Sequence, residues 1–232
     1  TARTTGFELP TVPVAFLTID NTNHVTLNKN LTVSTTLTLT NGKLLTAANT
    51  ATIGASGTVV AGANWVVGNL AKQTANGASP SFTYPIGSDI SNYTPIVLTF
   101  AGNNTSGSTG TITATTTSGD HAQITASGID AGKTANRNWT LTNSGISGST
   151  YDATFTFVSG DLDGGATTSN FVVRRYVTPT WFTTTTGTRT GTTTQATGLS
   201  TYGDFQLGEA STLTVATHPA SGSVCGGSAT TF

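Results

Sequence analysis

Short runs in which Thr or Asn alternates with Leu, Val or Ile dominate the first third of the chain. The segment from 25 to 60 is VTLNKNLTVSTTLTLTNGKLLTAANTATIGASGTVV. An alternation with a period of two places every second side chain on one face of a strand. Thr is β-branched and favours the extended backbone. No stretch repeats its apolar residues with a period of 3.6, so we expect an all-β fold with essentially no helix.

Polar corners such as NKN, TNG and GASG separate these short runs. This pattern favours a β-solenoid-like segment over residues 14–78, in which stacked coils bury a thin apolar column and corner Asn side chains form a ladder. The alternative is a meander of ordinary hairpins, because no strict repeat is present. The predicted inward face consists of Leu27, Leu31, Val33, Leu37, Leu39, Leu44, Ile53 and Val59.

Longer and more aromatic runs follow from residue 79 to residue 210, among them NYTPIVLTF, YDATFTFV and NFVVRRYV. Strands with turn signals at intervals of roughly 8–15 residues are typical of a Greek-key β-sandwich of immunoglobulin-like architecture. Its predicted core aromatics are Tyr84, Tyr93, Phe100, Trp139, Phe155, Phe157, Phe171, Trp181 and Phe205.

Charged residues make up only 8% of the 232 residues and the net charge is −1, against about a quarter charged in an ordinary soluble domain. Such a chain offers no field that would attract nucleic acid. No run of 18 apolar residues is present, so we expect no membrane insertion. The Thr-, Asn- and Gly-rich composition suits a protein that is secreted to a bacterial cell surface.

The residues that could carry out chemistry are few and scattered. His24, His121 and His218 show no spacing that would place two of them on one metal. The dipeptide Asp120-His121 is adjacency rather than a catalytic triad. Cys225 has no basic neighbour that would activate its thiol. We therefore expect no enzymatic activity, no catalytic residue and no cofactor.

The segment DLDGG, from Asp161 to Gly165, is the best candidate for a metal site. Two carboxylates on alternate residues beside glycines could hold Ca²⁺. A complete calcium loop needs further acidic ligands, so we interpret the segment as a solvated turn and predict no metal site. Arg174 and Arg175 should point to opposite faces of a strand, and we interpret them as structural.

The order of these segments resembles a known group of proteins. LTIDNTNHVTLNKNLTVSTTLTLTNGKLL, FTYPIGSDISNYTPIVLTF, NRNWTLT and NFVVRRYVTPTWFTTTTG succeed one another as in the large, repetitive, adhesin-like or filament-like surface proteins of the Bacteroidota that the type IX pathway exports. The resemblance covers residues 14–232, and no catalytic motif belongs to it. It implies that the stretch around Cys225 is the first strand of a following unit.

The two ends of the chain are predicted to connect neighbouring units. Residues 1–13 contain two prolines and are expected to form a linker, and residues 211–232 a linker with a strand of the next unit or an inter-subunit strand. Apolar residues near both ends lack obvious partners, and an unpaired apolar strand needs a cover. The predicted subunit interface consists of Val14, Phe16, Leu17, Leu213, Val215, Val224 and Phe232.

The sequence therefore predicts a structural module of an extracellular filament or adhesin stalk that contacts copies of itself, or consecutive modules, head to tail. The alternative is an adhesive module that binds surface glycan or host protein. Such a module would expose aromatic side chains in a contiguous patch, and Trp65, Trp181 and Tyr202 are the candidates for it.

Overall fold

The computed structural model describes residues 1–212, and this part of the chain consists almost entirely of β-strands. Three short 3-10 turns, Ile124–Ala126, Ser159–Asp161 and Thr168–Asn170, are its only helical segments. None of the described helical segments has the length and apolarity that would span a membrane. The all-β prediction is confirmed.

The strands are β1 (Arg3–Thr4), β2 (Val14–Asp20), β3 (Val25–Thr26), β4 (Leu31–Asn41), β5 (Leu44–Ile53), β6 (Thr58–Val60), β7 (Val66–Thr74), β8 (Phe82–Tyr84), β9 (Ile86–Gly87), β10 (Ile96–Phe100), β11 (Gly110–Ser118), β12 (Ile129–Ser144), β13 (Tyr151–Thr156), β14 (Phe171–Val177), β15 (Thr180–Thr183), β16 (Thr185–Arg189), β17 (Thr193–Leu199) and β18 (Gly203–Ala210).

The first part of the chain is a β-solenoid, because its strands pair in parallel with strands one coil later. On the first face, Val25 pairs with Leu44, Leu44 with Val66, and Val66 with Ile86. These partners lie 19, 22 and 20 residues apart. A coil of this length returns the chain to the same face, which distinguishes the solenoid from the alternative meander of hairpins.

Two further faces complete each coil. The second face contains the start of β4 and the ends of β5 and β7. There Leu31 pairs with Ala51, and Ala51 pairs with Leu70. The third contains β2, the end of β4, and β6, where Leu17 pairs with Leu37 and Leu37 with Val59. The predicted alternation is correct: Leu31, Val33, Leu37, Leu39, Leu44 and Ile53 are all buried.

Asn side chains connect successive coils at the corners. The Asn49 side chain donates to the Leu27 carbonyl oxygen at 3.0 Å, and the Asn69 side chain donates to the Asn49 carbonyl oxygen at 3.2 Å. Asn64 donates in the same way to the Leu39 carbonyl oxygen at 3.1 Å. The corner amides therefore bind the backbone of the preceding coil, rather than one another as an amide ladder would require.

The second part is a sandwich of two antiparallel sheets. One has the strand order β11-β12-β18-β14-β15 and the other the order β16-β17-β13-β10-β8. The chain crosses repeatedly between the two sheets, as in Greek-key sandwiches. Of the nine predicted core aromatics, Tyr93 is exposed and Trp181 is partly exposed, and the other seven are buried.

The solenoid and the sandwich share one sheet. Leu70 of the last full coil pairs with Ala114 of β11, and Ala114 pairs with Leu141 of β12. Together with Leu31 and Ala51 these residues form one buried column across both parts. The hydrogen-bonded sheet and the core therefore continue from the first coil into the sandwich without a break.

The boundaries predicted at residues 13 and 78 are wrong in detail. β1 pairs in parallel with β3, and Leu9 is buried in the core, so much of the predicted linker 1–13 belongs to the first coil. At the other boundary, β8 lies in the sandwich while β9 returns to the solenoid. Free backbone groups at the edge of a coil recruit any adjacent extended segment, including one whose composition resembles a linker.

Candidate functional site

The acidic turn singled out as a possible calcium site is occupied by protein donors. Arg137 is buried and donates from Nε to Asp161 Oδ2 at 2.8 Å and from the second guanidinium nitrogen to Asp161 Oδ1 at 2.9 Å. The backbone N–H of Val158 also donates to Asp161. The interpretation of this segment as a solvated turn is therefore wrong for Asp161, which is 7% exposed.

Asp163 is held by a second set of donors. Its carboxylate accepts from the Thr134 backbone N–H at 2.8 Å and from the Asn136 side chain at 2.7 Å. Burial works against ionisation of Asp163, but these hydrogen bonds outweigh it and keep its pKa below the ordinary value. Burial raises the pKa of the neighbouring Asp120, and the charge of Asp163 adds to this effect. The carboxylates of Asp161 and Asp163 therefore fix the turn to β12.

The pair His121 and Asp204 resembles part of a catalytic triad but lacks a free ring nitrogen. Nε2 of His121 lies 3.2 Å from Asp204 Oδ2, and its Nδ1 accepts the backbone N–H of Gln123 at 3.1 Å. The ring also packs against Tyr176 and Trp181. A general base needs a nitrogen that faces a substrate, so this cluster holds the loop 119–128 against the sheet.

The remaining candidates for metal or thiol chemistry are isolated. His24 accepts the Lys43 backbone N–H at 3.0 Å through Nδ1. His218 and Cys225 lie outside the described residues. Within residues 1–212, no three His, Cys, Asp or Glu side chains are grouped as a metal site would require.

The candidate aromatic patch is also not formed as predicted. Trp65 is 8% exposed, donates its indole N–H to the Asp89 carbonyl oxygen at 2.8 Å, and is covered by the Lys43 ammonium at 3.8 Å from the ring centre. Trp181 and Tyr202 are partly exposed. The prediction that Trp65 is available to a ligand is therefore wrong, because its side chain is buried. A lone Trp in a polar run does not indicate whether its side chain faces the core or the solvent.

The open end of the solenoid is the surface on which unpartnered groups concentrate. Among the described strands, β1 pairs only with β3, and β2 pairs only with β4. One edge of each strand therefore has no strand beside it. An edge of this kind is a template for another strand.

Side chains of β2 alternate from Phe16 to Asp20, and a register shift between Val14 and Phe16 returns Val14 to the inward face. Ile19 is buried and Leu17 packs partly buried against the core. Val14 is partly buried as well, since no further coil covers it. Phe16 points away from the core and is 71% exposed.

The segment between β1 and β2 brings two further apolar side chains to the same end. Leu9 turns into the core, and the Lys29 ammonium donates to the Leu9 carbonyl oxygen. Phe7 is fully exposed and Val12 is 64% exposed. We call the surface formed by Phe7, Val12, Val14, Phe16 and Leu17 the open-coil surface.

Three of the predicted interface residues, Val14, Phe16 and Leu17, lie on the open-coil surface. The other four, Leu213, Val215, Val224 and Phe232, lie outside the described residues. Phe7 and Val12 are not among the predicted interface residues, because both stand in the segment 1–13, whose prolines favour a linker. Their apolar character within FELPTVP was the available signal.

Comparisons with known proteins return no relative. No family model matches the chain, and no curated protein or solved structure matches it.

Proposed function

We propose that this chain is a structural module of a bacterial extracellular filament or adhesin stalk, in which modules join head to tail through the open-coil surface. The observation that carries this proposal is the open first coil, where two edge strands meet exposed Phe7, Val12 and Phe16. Exposed apolar side chains beside free strand edges favour association with another polypeptide.

The continuous shared sheet supports a structural role. Its hydrogen-bonded path runs from β1 to β15 through nine strands. Because neighbouring strands lie about 4.8 Å apart, this path extends over roughly 38 Å. Tension applied along it acts on backbone hydrogen bonds of both parts of the molecule.

The use of the ionisable groups supports a structural role over an enzymatic one. Asp161, Asp163 and His121 are all committed to protein donors or acceptors. The secreted, cell-surface location follows from the composition and from the resemblance to the Bacteroidota proteins, and it belongs to the same proposal.

Substitution of an exposed side chain at the open coil tests the proposal. Phe16→Asp should leave the fold intact, since the side chain is exposed, and should place a charge in the interface. Val177→Asp is the matched control, because Val177 is also apolar and exposed but lies on β14, which has a strand on both sides. The 232-residue chain and both variants are compared by sedimentation velocity and negative-stain microscopy over a range of concentrations.

We expect the parent chain and Val177→Asp to form end-to-end oligomers as the concentration rises, and Phe16→Asp to remain monomeric. A dissociation constant above about 0.5 mM is weaker than that of a typical specific contact. A parent chain that stays monomeric up to this concentration would therefore contradict the proposal. Assembly of Phe16→Asp at the parent concentration would contradict the assignment of the surface.

A further inference from the structure

Arg175 stands in a polar cleft without a carboxylate partner. It lies on β14 on the same side as the buried Phe171 and Val173, and so faces the gap between the two sheets of the sandwich. The ion pairs found within residues 1–212 are His121–Asp204 and Arg137–Asp161, and neither involves Arg175. The interpretation of Arg175 as a paired structural residue therefore finds no partner in the described part of the chain.

Most of the hydrogen-bonding capacity of this guanidinium is unused by described residues. One terminal nitrogen donates to the Tyr202 carbonyl oxygen at 3.0 Å. The centre of the Phe182 ring lies 4.7 Å from the guanidinium carbon, which is a cation–π contact. A guanidinium has five N–H donors, so a planar anion can still bind to the other nitrogens.

The cleft in front of Arg175 is small and lined by hydroxyl groups. It has a volume of about 200 Å³, and its walls include Thr183, Thr185, Ser200 and Thr201. None of the residues that line it is acidic. Pockets that bury a drug-sized ligand measure about 300–1,000 Å³, so this cleft suits one charged group and part of a ring.

The surroundings of the cleft match an acidic sugar. An Arg guanidinium binds a carboxylate with two parallel hydrogen bonds, and Ser and Thr hydroxyls can both donate to and accept from sugar hydroxyls. Phe182 does not line the cleft, but it contacts the Arg175 guanidinium beside it and is 42% exposed, so an apolar face of a pyranose can pack against its ring.

We propose that this cleft binds a hexuronic acid unit of an acidic polysaccharide, with Arg175 holding the sugar carboxylate. The site is separate from the open-coil surface and does not depend on end-to-end assembly. It would give the module an adhesive function in addition to the structural one.

Isothermal titration calorimetry of the 232-residue chain with trigalacturonate tests this site, at about 150 mM NaCl so that nonspecific ionic attraction is screened. Three control ligands are titrated in parallel. They are acetate, a triglutamate peptide, and the neutral trisaccharide trigalactose. We expect trigalacturonate to bind, and the other three to bind at least tenfold more weakly.

Arg174→Gln is the matched control for Arg175→Gln, because the two residues are adjacent and point to opposite faces of β14. We expect Arg175→Gln to weaken trigalacturonate binding at least tenfold and Arg174→Gln to change it less than twofold. Arg175→Lys keeps the charge but loses the planar fork, and should weaken binding severalfold. Circular dichroism melting establishes that each variant is folded.

Three results would overturn the proposal. The first is no detectable heat with trigalacturonate. The second is equal binding by Arg175→Lys or Arg175→Gln and the parent chain. The third is preferential binding of triglutamate or acetate, which would assign the cleft to a protein carboxylate or to small anions instead of a sugar.

Discussion

Arg137 and Asp161 form a buried, two-pronged ion pair that connects the centre of β12 to the 3-10 turn after β13. The donor–acceptor distances are 2.8 and 2.9 Å, and the Arg137 side chain has no exposed surface. Ser88 and Thr116 accept further hydrogen bonds from the same guanidinium. Ser88 follows the last solenoid strand, so this one side chain connects the solenoid, the β11–β12 part of the shared sheet and the acidic turn.

Removing one partner of this pair should strongly destabilise the protein. We expect Asp161→Asn and Arg137→Met each to lower the free energy of unfolding by about 3–5 kcal/mol, because each leaves an uncompensated or unsatisfied buried group. Urea unfolding followed by fluorescence measures the change. Asp130→Asn is the control, since Asp130 is exposed, and should cost less than about 0.5 kcal/mol. A loss below about 1 kcal/mol for Asp161→Asn would show that the pair contributes little.

The same contacts predict that the DLDGG segment is indifferent to calcium. Asp161 and Asp163 already accept hydrogen bonds from Arg137, Thr134 and Asn136, and Ca²⁺ would have to displace these donors. We expect the melting temperature to stay within about 1 °C on addition of millimolar CaCl₂ or EDTA. A rise of several degrees with CaCl₂ would reveal binding to the native state.

The sequence predicted the solenoid well because its strands carry local information. Leu37 and Leu39 alternate with Thr, and an Asn-Gly corner follows at Asn41 and Gly42. Gly42 has φ of +77°, and a Cβ there would lie 1.9 Å from the Asn21 carbonyl oxygen, so the corner requires glycine. Side-chain alternation and corner residues of this kind can be recognised without knowledge of the contacts.

Long-range pairings left no such local signal. Arg137 lies within NRNWTLT, where alternation correctly predicts that Arg137 and Trp139 share a face, but nothing nearby identifies Asp161 as the partner. β1 and Leu9 were missed for a related reason. β1 takes its place in the first coil by pairing with β3, more than twenty residues away in sequence, and the Leu9 carbonyl oxygen accepts from Lys29, 20 residues away.

Asp89 should make stability depend on acid pH. Its burial opposes ionisation, but hydrogen bonds from Asn92, Ser91 and Ser88 outweigh burial and lower its pKa to about 2. An unfolded Asp has a pKa of about 3.9. The unfolded state therefore binds more protons between these values, and the stabilisation by Asp89 is full above about pH 4 and is lost as the pH falls towards 2.

Comparison of the parent chain with Asp89→Asn measures this effect. At pH 7 we expect the variant to be less stable by about 1 kcal/mol, because the amide replaces one acceptor oxygen with a donor. The difference should shrink between pH 4 and pH 2. Asp130→Asn makes the same change of formal charge and controls for net charge. If the difference in free energy of unfolding between the parent chain and Asp89→Asn stays constant down to pH 2, the lowered pKa of Asp89 is contradicted.

Truncation of the chain tests the second half of the proposed head-to-tail contact. β18 ends at Ala210 and lies two strands from the β15 edge, whereas the open coil is at the other end of the same sheet path. The proposed contact requires a segment after β18 to add a strand to the open coil of the next copy, where that strand would gain main-chain hydrogen bonds. Such a contact between unlike surfaces propagates as a fibre when the rotation between copies does not close a ring.

We expect deletion of residues 219–232 to leave the melting temperature and the β-type circular dichroism spectrum unchanged, because the described core ends before this segment. The truncated chain should remain monomeric at concentrations at which the parent chain assembles, as measured by sedimentation velocity. Adding a peptide of residues 211–232 in excess should also cap the open coil and stop assembly of the parent chain. Filaments that persist after the truncation would show that the open-coil surface binds a different part of the neighbouring copy.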